Sequence, residues 1–179
     1  LTWLEIAVGG AALLAMLSIL IGVLRCGISP MPSTRAAAAA VLSLAVPAKE
    51  GPIYELGSGW GGLAISLARA HPERIVCCYE LSTIPYLFSV LAGRWSGLEN
   101  LGFRRRDFLR QDLSDAALVV CYLYPGGMEQ LAAKLEGQSL VVVSNTFAMP
   151  GWEPDEVVEL GDRHRTRVYR YRTPQLKPS

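Results

Sequence analysis

Hydrophobic positions fall into two regimes along the chain. From Ile6 to Leu24 there are 19 consecutive residues without a charge, close to the roughly 20 that a helix needs to cross the hydrocarbon core of a bilayer. Ser18 is the only polar side chain in the run and can bond back to its own helix. The pattern predicts a single transmembrane helix, with residues 1–25 as an anchor. A buried core helix and a signal peptide are the alternatives. Against the signal peptide stand Glu5, the absence of Lys or Arg ahead of the run, and a run longer than a usual h-region. Positive charge begins after the run, at Arg25 and Arg35, which places the remainder of the chain on the cytoplasmic side.

After the run the period changes. Gly27 to Ser33 is a turn-rich connector, and Ser33 or Thr34 can cap a helix over Arg35–Val46 that Pro47 ends, giving a connector-plus-helix unit at 26–50. Beyond it, short β-rich runs alternate with helical spacing. Strands are expected near Ile53–Leu56, Ile75–Glu80, Gly102–Arg105, Ala117–Tyr122 and Leu140–Ser144, and helices over Gly62–His71, Ile84–Trp95 and Gly127–Glu136. Glu156–Leu160 and Thr166–Arg172 flank a tight connection and read as a hairpin. The fold class is therefore α/β: a Rossmann-like, mainly parallel seven-strand sheet with helices on both faces, closed by a C-terminal antiparallel hairpin, over residues 51–179.

Composition narrows the chemistry. The 179 residues suffice for one domain and a small appendage. Four cysteines without metal-ligand spacing fit a reducing compartment and predict no metal site, and neither His71 nor His164 neighbours a nucleophile with a third orienting group, so a hydrolase reading has no support. Net charge is only +1, yet arginines cluster at 104–106 and 110 and again from 163 to 172. A solvated hairpin explains them better than anionic headgroups, and nucleic acid is not an expected partner.

Tyr54-Glu-Leu-Gly-Ser-Gly-Trp-Gly-Gly62 lies between a strand and a helix, where glycines let the backbone turn sharply and approach a ligand. Its glycines alone fit either a nicotinamide dinucleotide or S-adenosylmethionine. Glu55 shifts the balance, because it would draw the ammonium of a methionine moiety and repel a pyrophosphate. Glu80 closes the next strand beside Leu81, suited to ribose hydroxyls. Asp107, after the third, suits the adenine amino group, with Phe108 beside the ring. Glu55, Gly57, Ser58, Gly59, Gly61, Glu80, Leu81, Asp107 and Phe108 are thus the expected cofactor residues, with S-adenosylmethionine as the cofactor.

From Pro47 to Tyr171 the chain resembles the class I methyltransferase superfamily. More narrowly, P-M-P-S-T, D-L-S-D-A-A-L-V-V-C-Y-L-Y-P and V-V-V-S-N-T-F-A-M-P-G-W, together with the anchor, are similar to the membrane-anchored protein lysine methyltransferases of the ATP synthase c subunit and the adenine nucleotide translocase, and to their prokaryotic relatives. Trp60 inside the glycine loop and Glu55 in place of Asp depart from that pattern. The resemblance implies methyl transfer to a lysine amine of a membrane-associated protein. Tyr122, Tyr124 and Asn145 are the candidates for steering that amine, and Phe147 and Trp152 for contacting substrate. A lipid or small-molecule methyltransferase, and a non-catalytic cofactor sensor, are the other readings the same residues allow. The segment C-Y-L-Y-P lacks the acid or amide, two prolines and aromatic that a base amine would need.

Overall fold

The computed structural model describes residues 2–26 and 33–173. Thr2 and Glu5 form a reciprocal cap: the Glu5 amide donates to Thr2 Oγ1 at 3.3 Å and the Thr2 amide to Glu5 Oε2 at 2.8 Å. Helix α1 (Trp3–Cys26) follows. Its described side chains include Trp3, Leu4, Ile6, Val8, Leu13, Met16 and Leu17, all exposed. The expected span Ile6–Leu24 falls inside this one helix, but the side chains of residues 14–15 and 18–26 lie outside the described residues. Among the described residues, no helix is long and apolar enough to cross a membrane. The expected connector, up to residue 32, also lies outside them.

Helix α2 (Arg35–Leu44) begins at Thr34, whose Oγ1 accepts from the Ala37 amide at 3.1 Å, and ends before Pro47 is reached. The remaining elements are β1 (Ile53–Leu56), α3 (Gly62–Ala70), β2 (Val76–Tyr79), α4 (Thr83–Ser96), β3 (Leu101–Arg104), a 3-10 turn (Phe108–Arg110), β4 (Leu118–Cys121), α5 (Pro125–Leu135), β5 (Val141–Asn145), β6 (Glu156–Glu159) and β7 (Arg167–Arg172). Helix α1 packs against α4. The strands form one sheet in the order β3-β2-β1-β4-β5-β7-β6, parallel from β3 through β5, with β7 antiparallel to β5 and β6 antiparallel to β7.

Alternation along the strands explains the two layers. Tyr54, Leu56, Val119, Cys121, Val142 and Tyr171 point to one face and pack with Met128, Leu131 and Leu135 of α5. Ile53, Val76, Cys78, Leu118, Val120, Val141, Val143 and Val168 point to the other and pack with Val41 and Leu44 of α2 and Ala64 and Leu67 of α3. Strands covered on both faces have no polar side to show, so Ile53–Leu56 and Leu118–Cys121 are buried throughout. The chain runs outward from β1 to β3 and returns to β4, leaving a crevice above β1 and β4 where the strand order reverses.

Candidate active site

That crevice is a cavity of about 570 Å³. Its floor is the glycine loop after β1, held by amides of Gly57 and Ser58 that donate to the Tyr79 carbonyl at 2.9 and 3.1 Å. Gly57, Gly59 and Gly61 all sit at left-handed φ, +77°, +53° and +83°. At Gly61 a Cβ would come within 2.9 Å of the Ser89 Cβ and 3.0 Å of Phe103 Cζ, so the loop can lie flat against α4 and β3 only as glycine.

Of the expected cofactor residues, Glu55, Gly57, Ser58, Gly59, Glu80, Leu81, Asp107 and Phe108 line the cavity. Gly61 shapes the loop from behind and is not in its wall. Glu80, expected to face a ribose, also holds the loop. Its Oε2 accepts from the Gly59 amide at 2.8 Å and its Oε1 from the Ser82 amide at 2.7 Å, so one carboxylate joins the glycine loop to the start of α4. Each oxygen retains a second lone pair able to accept from a ligand. Asp107 likewise accepts from the Leu109 amide at 2.9 Å, capping the 3-10 turn that carries Phe108.

Glu55 is different. It is buried at 4% exposure, and its Oε2 has no hydrogen-bond partner. Burial pushes its carboxyl up to about 8; a hydrogen bond with Cys78 opposes this and the Glu80 charge adds to it. Ser58, at 7% exposure, has an equally orphaned Oγ in the same wall. Buried polar atoms without partners are rare in folded proteins. Here they face space that a polar ligand would fill, and a cofactor bearing an ammonium, a carboxylate and ribose hydroxyls fits the donors and acceptors present.

The five remaining expected residues divide. Tyr122 and Tyr124, beyond the end of β4, line the cavity. Tyr124 precedes α5 and its ring lies over Gly126 and Gly127, where a Cβ would meet it at 2.8 and 3.1 Å. Sequence pattern gave no reason to single out those two glycines. Asn145, Phe147 and Trp152 are not in the cavity wall. The Phe147 ring stacks with Tyr122 at 6.2 Å, and Trp152 packs edge-on to Tyr171 at 6.0 Å. Asn145 is buried; its Nδ2 donates to Ser33 Oγ at 3.2 Å and its Oδ1 accepts from Thr146 Oγ1 at 3.2 Å. It fastens the segment ahead of α2 across the end of β5. Thr146 takes a left-handed φ of +70°, an uncommon state for a β-branched residue.

That fastening brings Ser33 and Arg35 into the cavity wall, and Trp60 and Gln130 join it. None of these stands out in the sequence as a ligand; Ser33 and Arg35 are recruited by the packing of α2 against α3, β5 and β7, while Trp60 comes with the glycine loop and Gln130 with α5.

Known proteins share this architecture. An RNA methyltransferase from Salinibacter ruber, solved with S-adenosyl-L-homocysteine, is 29% identical and superimposes with a TM-score of 0.72 over 83% of this chain and 97% of its own. The magnesium protoporphyrin IX methyltransferase of Synechocystis PCC 6803, solved with S-adenosylmethionine, shares the fold at 14% identity and a TM-score of 0.59, over 77% of each chain. A protein-lysine N-methyltransferase of Saccharolobus islandicus is 26% identical over 141 residues, 73% of this chain and 84% of that relative. The ANTKMT methyltransferase domain matches residues 55–156, over half of the chain and all of the walls that Glu55, Glu80, Asp107 and Tyr122 supply. The chain belongs to that family and is an S-adenosylmethionine-dependent methyltransferase.

Proposed function

We propose that the methyl group goes to a lysine amine of a membrane-associated protein, with the enzyme held at the bilayer by α1. One observation carries the reading of the acceptor: the cavity wall beyond β4 is Tyr122-Leu-Tyr124, two hydroxyl-bearing rings and no amide or carboxylate pair. A base amine in RNA finds no paired amide or carboxylate acceptors there, whereas an amine that needs only orientation and desolvation is served by the two hydroxyl oxygens. The Saccharolobus relative supports the same acceptor.

S-adenosylmethionine supplies an electrophilic methyl on a sulfonium, and displacement at that carbon needs alignment and close approach more than acid–base power. The protein's part is therefore positioning. Tyr122 and Tyr124 orient the neutral amine through their hydroxyl oxygens, and Phe147 stiffens Tyr122 by stacking on it. Asn145 acts at one remove, through Ser33, by keeping the cavity's outer wall in place.

Support for the membrane lies in the sequence, in the 19 uncharged residues of Ile6–Leu24. Arg25 and Arg35 follow that run, which orients the catalytic domain to the cytoplasm. Tethering confines the search for substrate to the bilayer surface and raises effective concentration there.

The reading is tested by incubating membranes and total RNA from cells lacking the enzyme with purified full-length protein and methyl-labelled cofactor. Label should enter protein and be recovered as methyl-lysine after acid hydrolysis. Tyr122→Phe should lower kcat by about 10-fold or more, with cofactor affinity retained. Label confined to RNA or to the organic extract would overturn the lysine assignment.

A further inference from the structure

We propose that Arg35, together with Ser58 and the N-terminus of α3, binds the α-carboxylate of the cofactor's methionine moiety, so that the segment ahead of α2 checks the amino-acid end of the ligand. The inference rests on the cofactor assignment and extends it to residues outside the glycine-loop pattern.

A methionine moiety is a zwitterion, and a cavity that holds it must answer both charges. The strand ends supply acids in abundance: Glu55, Glu80 and Asp107 all line the wall. Among the described residues of that wall, the cations are Arg35 and Arg106. Arg106 adjoins Asp107 beyond β3, at the far end of the sheet order from β5. Arg35 enters from α2, which packs on α3 and β5, and is therefore on the side of β1 and β4. Its guanidinium makes no ion pair with any described residue and is exposed at the cavity.

Two further observations converge on the same place. Ser58 is buried with an orphaned Oγ, a hydroxyl able to donate to a carboxylate oxygen. Helix α3 starts at Gly62 with no side-chain cap, and Gly62 and Leu63 line the cavity. The first amides of a helix lack intrahelical partners and favour an anion. A guanidinium, a free hydroxyl and an uncapped helix start thus share one cavity with Glu55, whose own orphaned oxygen suits the ammonium. Ser66 Oγ, on the same helix, is already committed as a donor to the Gly62 carbonyl at 3.1 Å.

The experiment is calorimetric titration of the detergent-solubilised full chain with S-adenosylmethionine and with its decarboxylated form, which lacks only the carboxylate. A charge-assisted contact corresponds to about a 10- to 100-fold preference of the wild type for the intact cofactor. Arg35→Ala should abolish most of that preference while leaving affinity for the decarboxylated ligand within about twofold, and Arg35→Lys should recover part of it. Equal loss for both ligands would mean that Arg35 only shapes the wall, and an unchanged ratio would mean that it does not touch the ligand; either overturns the proposal. A wild type that binds neither ligand would remove the cofactor assignment itself, and this inference with it.

Discussion

Glu55 is a buried carboxyl with an unpartnered oxygen, and its burial is paid for in folding. Its ordinary value is 4.5, and burial, with Glu80 nearby, lifts it to about 8 in the folded chain. An acid raised on folding contributes stability that is complete below the unfolded value and is lost as pH rises through the window between the two, because the unfolded state releases its proton first. Wild-type stability should therefore fall relative to Glu55→Gln between about pH 5 and about pH 8. Thermal unfolding of both proteins across that range checks this, and parallel curves would refute it. Cofactor affinity should move oppositely: an ammonium favours the carboxylate, so wild-type binding strengthens over the same window while Glu55→Gln stays flat and weak.

At the scale of elements, the hairpin that closes the sheet depends on a charge cluster. Arg170 of β7 is buried and pairs with Asp155, which also forms an ion pair with Arg172 at 3.0 Å, while the Asp155 amide donates to the Arg170 carbonyl at 2.9 Å. Asp155→Ala leaves a buried guanidinium without its carboxylate and should cost about 3 kcal/mol, read as a shift in the urea midpoint. Surface pairs such as Glu159 with Arg165 and Arg167 should matter far less. Every strand and helix of the catalytic domain lies within a few residues of its sequence expectation. The strands alternate or run fully apolar, and glycine, proline and capping residues punctuate them. The expected α2 end at Val46 was too long by two residues, since Ala45 already leaves helical geometry and its amide turns back to Leu42. What the elements do with their side chains was less legible. Asn145, expected to steer the amine, bonds Ser33 and lies outside the cavity wall, a placement set by a contact that no local pattern encodes.

For the whole molecule, α1 carries a run of exposed apolar side chains and packs against α4, whose own Leu87, Phe88, Leu91 and Trp95 are exposed. So much contiguous apolar surface is unusual for a protein that meets only water. If α1 inserts in a bilayer, Leu13→Arg with Leu17→Arg should release the chain from carbonate-washed membranes, since each charge near the centre of a span costs about 3 kcal/mol on insertion scales. Retention of the double variant would assign membrane binding elsewhere. Cofactor affinity should be unaffected, as neither residue lines the cavity.

The sequence by itself determined the order of elements, the sheet and the acids and glycines of the cofactor loop, because periodicity, turn chemistry and strand-end position are local properties. Tertiary structure alone decided which residues share the cavity. It placed Ser33 and Arg35 in the wall by packing α2 over β5, set Tyr124 on two glycines, drew Glu80 into binding the loop as well as lining the cavity, and left Glu55 and Ser58 with orphaned atoms. Contacts between residues more than a hundred positions apart, such as Asn145 with Ser33, follow from how layers pack, and no spacing along the chain encodes them.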